Sequence, residues 1–188
     1  IELTSDVIIH DDLLLTDGKL LLENNTLELR KDIIAVSGEI ETTLESGIRI
    51  AGSGPLMSIP FSNVTNDLSD FIYERTGTTY LTGDDIRIHG ELGVYDGIID
   101  NAADAIRLVN GSSIRRIEGE LINNVPSLVS GIYHVYYDGT AKTAGVELPA
   151  ATSPDNLGDL TISGGPVTID KDIVVNGDAV KVNYKVKP

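Results

Sequence analysis

Apolar residues along this chain come in short bursts, and Asp, Asn and Gly divide them. Over residues 6–30 the bursts are Val7-Ile8-Ile9-His10, Leu13-Leu14-Leu15-Thr16, Lys19-Leu20-Leu21-Leu22-Glu23 and Thr26-Leu27-Glu28-Leu29, parted by Asp11-Asp12, Asp17-Gly18 and Asn24-Asn25. The dividing residues accept positive φ or hydrogen-bond their own backbone, so they mark turns. No window sustains the i, i+3, i+4, i+7 recurrence of an amphipathic helix, and the bursts are too short for one. The pattern predicts an all-β chain of short strands. It continues through Gly47–Ile50, a strand at 56–61 interrupted by Pro60, a polar loop over 63–70, Phe71–Tyr73 and Thr78–Leu81. Near the end, Gly131–Tyr137 alternates with period 2, as in a strand with one wet face. Further strands are predicted at Leu160–Ser163, Val167–Ile169, Ile173–Val175 and Val180–Val182.

The bursts repeat nearly the same words. Ile86-Arg87-Ile88, Ile106-Arg107-Leu108 and Ile114-Arg115-Arg116-Ile117 are versions of one strand, and Ile48-Arg49-Ile50 is a fourth. His89-Gly90-Glu91-Leu92 and Glu118-Gly119-Glu120-Leu121 share another word, which recurs from Gly90 to Gly119. The interval from Gly18 to Gly38 matches one coil of a small solenoid, which takes roughly 20–25 residues. The fold expected is therefore a parallel β-helix, or β-solenoid. The alternative is a β-sandwich in which Asp17-Gly18 and Asn24-Asn25 close hairpins. Pro126 breaks the rhythm, so coils over 1–125 are expected to continue, with a Tyr-rich strand, into further coils over 126–188. Alternation predicts Ile86, Ile88, Ile106, Leu108, Ile114 and Ile117 in the core and Arg87, Arg107 and Arg115 in solvent.

Composition narrows the functional classes. Hydrophobic residues make up 41% of the chain but aromatics only 5%, so the core must be built from thin aliphatic layers. The formal charge of −15 opposes nucleic acid and anionic membrane surfaces. No apolar run is long enough to cross a bilayer as a helix, so no membrane insertion is expected. With no Cys, disulfides and thiolate metal sites are excluded. The chain opens at Ile1-Glu2-Leu3 without Met or signal peptide, and both ends read as ordinary strand. That is expected of a piece whose neighbours in a longer chain continue the fold.

Candidate chemistry is sparse. Asp84-Asp85 with Arg87-Ile88-His89-Gly90 resembles the paired Asp, Arg and His-Gly words of pectin-degrading β-helix hydrolases, which makes a carbohydrate-active enzyme the alternative function. Neighbouring residues on a strand point to opposite faces, however, so a turn before a strand is the preferred reading of Asp84-Asp85. His10, His89 and His134 lack any metal-ligand spacing. The strand arginines are expected to form a ladder with Glu39, Glu91, Glu118 and Glu120. Asp11-Asp12, Asp84-Asp85, Asp170, Asp172 and Asp178 fall at corners where stacked carboxylates suggest Ca²⁺, but no EF-hand-type loop is present. No catalytic, cofactor-binding or metal-binding residue is assigned.

One resemblance is specific. Tyr136-Tyr137-Asp138-Gly139-Thr140-Ala141-Lys142-Thr143, Val146-Glu147-Leu148-Pro149, Asn156-Leu157-Gly158-Asp159-Leu160-Thr161-Ile162 and Ile173-Val174-Val175-Asn176-Gly177 are similar to a segment repeated along large secreted surface proteins of the Bacteroidetes type, including gliding-motility-type adhesins. Lys142 stands where that phrase carries Gln. The resemblance implies a β-solenoid stalk, an extracellular or cell-surface location and a structural or adhesive role without enzymatic activity. It also implies neighbouring segments of the same chain, and surface polysaccharide, as partners.

Overall fold

The structure is a computed structural model that describes residues 1–54, 59–61, 65–81, 85–151 and 156–182. Among these residues every strand pairing is parallel, and each strand lies beside one from the next coil. Val7 faces Leu27, and Ile48, Phe71, Leu92, Ile114, Val135, Leu160 and Ala179 follow in turn, one rung per coil. The longest step is the one from Val135 to Leu160. Parallel neighbours a coil apart cannot come from hairpins, so the chain is a β-solenoid and the sandwich alternative is excluded. Nine strands stacked this way, at about 4.8 Å each, give a first face about 38 Å long. That face runs unbroken past residues 125–126, because Ser113–Arg116 pairs with Tyr133–Tyr137.

Three faces close the coil. In the first coil they are Val7–Ile9, Leu13–Leu15 and Lys19–Leu21. In the second they are Thr26–Leu29, Ile33–Ala35 and Glu39–Glu41, each lying on its counterpart in the first. Farther along, Asp70–Tyr80 and Glu91–Asp100 turn the corner between two faces without ending. Gly77 and Gly97 make that bend at φ 106° and 62°. A Cβ on Gly97 would lie 2.1 Å from the Arg75 carbonyl, so only glycine fits. The remaining face stacks Thr65–Leu68, Asp85–Ile88, Ile106–Leu108 and Ser127–Leu128.

The interior is a set of side-chain columns, since period-2 alternation sends the same strand position inward in every coil. One column reads Leu27, Ile48, Phe71, Leu92, Ile114, Val135, Leu160, and the next reads Leu29, Ile50, Tyr73, Val94, Arg116, Tyr137, Ile162. Ile86, Ile88, Ile106, Leu108 and Ile114 are buried as expected, and Arg87, Arg107 and Arg115 point outward. Ile117 is a correction. It lies half-buried beyond the strand end, and the inward position after Ile114 belongs to Arg116. Two residues on, not three, is what a strand requires.

Other expectations shift for similar reasons. The stretch expected as a polar loop contains the strand Thr65–Leu68, whose Asn66 and Leu68 are buried. Most of the strand expected at 56–61 lies outside the described residues, with Ile59 buried and Phe61 bridging to Ile40. Ile173–Val175 packs partly against the core but joins no ladder. The two Gly-Glu-Leu words belong to different faces: Leu92 stacks on Ile114, whereas Leu121 stacks on Ile99. The interval between them is one coil plus a corner.

Backbone ladders do not bind all coils equally. Three ladders join the coil that contains Glu91–Asp100 to the next one, through Ser113–Arg116, Glu120–Ile122 and Ser127–Leu128. The following plane, between residues 113–128 and 133–151, carries one ladder, Ser113–Arg116 on Tyr133–Tyr137. Glu120–Ile122 finds no strand beyond it among the described residues, and Lys142–Thr143 pairs onward with Val167–Thr168 instead.

Candidate functional site

Side chains bridge that weakly laddered plane. Arg116 is 3% exposed and its partner Glu147 fully buried. Arg116 Nε donates to the Gly119 carbonyl in its own coil at 2.9 Å, and Nη1 donates to Thr143 O in the next at 3.2 Å and to Glu147 Oε1. Glu147 Oε1 also accepts the Tyr137 hydroxyl at 2.7 Å and the Gly145 N–H at 2.9 Å, while the Glu147 main-chain oxygen accepts the Tyr133 hydroxyl at 2.8 Å. Glu147 Oε2 is buried without a partner. Burial, reinforced by the Glu147 charge, holds both phenols well above the ordinary tyrosine range. Lys142 Nζ crosses the same plane to Ile117 O, and Thr140 donates its N–H and hydroxyl to Glu118. The long step from Val135 to Leu160 supplies the acid: within it Ala144, Glu147 and Leu148 turn into the core. A second buried arginine, Arg75, donates from Nη1 to Lys31 O and from Nη2 to Asp32 Oδ1, both at 2.9 Å, and from Nε to Gly54 O. These groups direct their hydrogen bonds to the chain itself, so they hold coils together rather than wait for a ligand.

The residues singled out for chemistry do not converge. Asp84 lies outside the described residues. Asp85 accepts Arg107 Nε at 3.2 Å, and Arg107 also pairs with Asp104 at 3.0 Å. His89 Nε2 sits 2.7 Å from Asp67, His134 Nδ1 accepts the Asp159 N–H at 3.1 Å, and His10 is exposed in the first coil. At the corners, Asp11 pairs with Lys31 at 2.7 Å, which holds its carboxyl below the usual range, and Asp12 accepts the Asp32 N–H. Among the described residues no three His, Asp or Glu come together as metal ligands. The arginine ladder is real but its partners differ. Of the expected acids Glu91 alone takes part, and Glu28, Glu74, Asp85, Asp104 and Asp138 supply the rest.

The outer surface of the first face carries a depression. It has a volume of about 390 Å³ and is lined by Thr26, Arg49, Asp70, Ile72, Glu91 and Tyr95, with backbone at Gly47 and Ile48. Glycine at 93 is what lets its floor form. A Cβ there would lie 2.7 Å from Ile72 Cδ1 and 2.8 Å from Tyr95 Cε1, so these two side chains occupy the vacant space. The rim is held rigidly. Tyr95 donates its hydroxyl to Glu91 Oε1 at 2.7 Å, and Arg115 Nε donates to Glu91 Oε2 at 2.8 Å. Arg115 reaches on to Asp138, which also accepts the Ser163 hydroxyl, and its guanidinium lies over the Tyr136 ring at 5.0 Å. Asp70 accepts the Glu91 N–H at 2.8 Å and the Ser69 hydroxyl at 2.7 Å. Partial burial and the hydrogen bond to Glu91 push the Tyr95 phenol up to about 12. The sequence signal for this face was the outward position of the Ile-Arg strands. The contacts of Tyr95 could not be read, because it is the extra residue of a bulge between Val94 and Asp96.

Comparison with known protein families, with curated proteins and with solved structures finds no match. Among the described residues no helix is long and apolar enough to cross a membrane.

Proposed function

We propose that this chain is a structural and adhesive segment of a secreted bacterial cell-surface protein, a stiff spacer that presents its outer faces for contact. The observation that carries this reading is the first-face ladder, which passes through nine strands and keeps its inward columns stacked past the register shifts at Val94–Asp96 and Tyr133–Val135. A stack in which each coil touches only its neighbours gains length at constant cross-section, which is what reach and stiffness need. The likeness of residues 136–177 to repeats of Bacteroidetes-type surface proteins supports the location and the expectation that flanking segments continue the coil. A non-catalytic role is favoured by the acids of the outer depression, since the carboxylates of Asp70 and Glu91 are both engaged in holding the rim.

Two measurements test the proposal on the intact chain. Small-angle scattering should give the pair-distance distribution of a rod. Incubation with neutral and acidic polysaccharides should release no reducing or unsaturated ends. A globular scattering profile, or turnover lost on changing Asp85 or His89, would replace the spacer with the carbohydrate-active alternative.

A further inference from the structure

We infer that the depression around Gly93 is a subsite for a neutral glycan chain lying along the first face. The inference rests on the surface-contact reading above and names its partner. Three observations point to a sugar. The floor, Ile72 beside the Tyr95 ring, is apolar and partly exposed, and suits the C–H face of a pyranose. The rim offers hydroxyl partners. An ionised carboxylate has about four acceptor positions, and Asp70 and Glu91 each use two on the protein, leaving capacity for sugar hydroxyls. Arg49, with about five N–H donors, gives bonds or charge contacts to Glu74 and Glu28 and keeps others. Finally, a second outward ring, Tyr136, stands two rungs from Gly93 in the same register, through Arg115. That spacing is about 10 Å, the reach of a disaccharide in an extended chain.

Charge selects the kind of glycan. The chain carries −15 overall, so a polyanion is repelled. Arg49 in the depression is already paired with Glu74 and Glu28, and Arg115, which holds Glu91 from the next coil, with Glu91 and Asp138. Neither arginine is left bare to call for a uronic acid or sulfate. The platform is also fixed in advance, because Tyr95 is tied through Glu91 to Arg115 and Arg115 lies over Tyr136. A prearranged ring and rim reduce the ordering cost of binding, which weak sugar contacts need.

The test is electrophoresis of the intact protein through native gels containing galactomannan, mixed-linkage β-glucan or, as the acidic counterpart, polygalacturonate. At least one neutral polysaccharide should retard the protein, and polygalacturonate should not. Tyr95→Ala should weaken retention about tenfold, and Tyr95→Phe, which keeps the ring, less than about threefold. Tyr80→Ala, which removes an exposed ring from the second face, should leave retention unchanged. Circular dichroism of each variant separates a lost site from a lost fold. No retention by either neutral gel, retention only by polygalacturonate, or equal loss in Tyr80→Ala and Tyr95→Ala would overturn the inference. None of these outcomes touches the scattering result, so the spacer can stand while the glycan subsite falls.

Discussion

The first two coils and the coils around residues 113–163 are built to the same plan but held by different forces. Between residues 7–21 and 26–41 all three faces are laddered, and the inward side chains on them are aliphatic. Between 113–128 and 133–151 one ladder remains, and the contacts of Arg116 with Glu147 and Thr143, Lys142 with Ile117, Arg115 with Asp138 and Thr140 with Glu118 make up the connection. In the first region backbone hydrogen bonds do the joining and side chains need only fill space. In the second the coil takes its longest path to the next rung, from Val135 to Leu160, and its second face loses register. Buried polar side chains there carry bonds that the main chain no longer makes. Strand continuity and core polarity are thus linked: an arginine enters the column where the ladder beside it stops.

The sharpest way to break the comparison is at Glu147. Glu147→Ala leaves Arg116 buried and uncompensated, and should cost about 3–5 kcal/mol in a denaturant melt. The double change Arg116→Met, Glu147→Leu should recover much of that loss, since well-packed apolar groups often replace a buried ion pair with little loss of stability. If the double variant is no better than the single one, the pair supplies more than charge balance. In the aliphatic region, Leu29→Ala should cost about 2–5 kcal/mol through the cavity left behind. No second change of charge should rescue it.

A pH titration sharpens the contrast next. Tyr95 ionises near 10 when unfolded and near 12 in the fold, so the folded state holds the proton more tightly between those values. Its contribution is complete below pH 10 and is lost as pH rises through 12. Tyr133 and Tyr137, also raised, act in the same direction. The melting temperature should therefore fall from pH 10 upward, and Tyr95→Phe should make the fall shallower. The smallest effect is expected at the surface of the second coil. Arg30 pairs with Glu28 at 2.7 Å but is nearly half exposed, so Arg30→Ala should cost under about 1 kcal/mol, and less in high salt. Residue type is the same at 30 and 116, and depth alone sets the ranking.

Much of the architecture was legible because strand grammar is local. Turn residues at 11–12, 17–18 and 24–25, the recurrence from Gly18 to Gly38 and the absence of helical periodicity together point to a coil. The pairing of Val7 with Leu27, Leu13 with Ile33 and Lys19 with Glu39 keeps that same interval on all three faces. The third-face words Ile86-Arg87-Ile88 and Ile106-Arg107-Leu108 stack as written. What failed to show was anything set by contacts between coils. Ile114-Arg115-Arg116-Ile117 looks like an apolar pair enclosing two surface arginines, yet two adjacent strand residues must face opposite ways, and alternation alone would have placed Arg116 inside. Its partner was beyond reach, because Glu147 enters from a loop 31 positions later. Thr65–Leu68 was hidden for a related reason, with Asn66 in an inward position that composition assigns to solvent. The depression at Gly93 depends on a missing side chain whose neighbours belong to another coil and to a bulge.

The single-ladder plane has a mechanical consequence. A rod under tension opens more easily where fewer strand pairings cross it, and among the described residues the section between residues 113–128 and 133–151 is crossed by one ladder. At the plane just before it a crack must open three strand pairings at once, but at this one it meets a single pairing and a few side-chain staples. Pulled along its axis, the chain should part at this plane before it parts at the one preceding it, so that the plane behaves as a yield point protecting the triply laddered coils beside it.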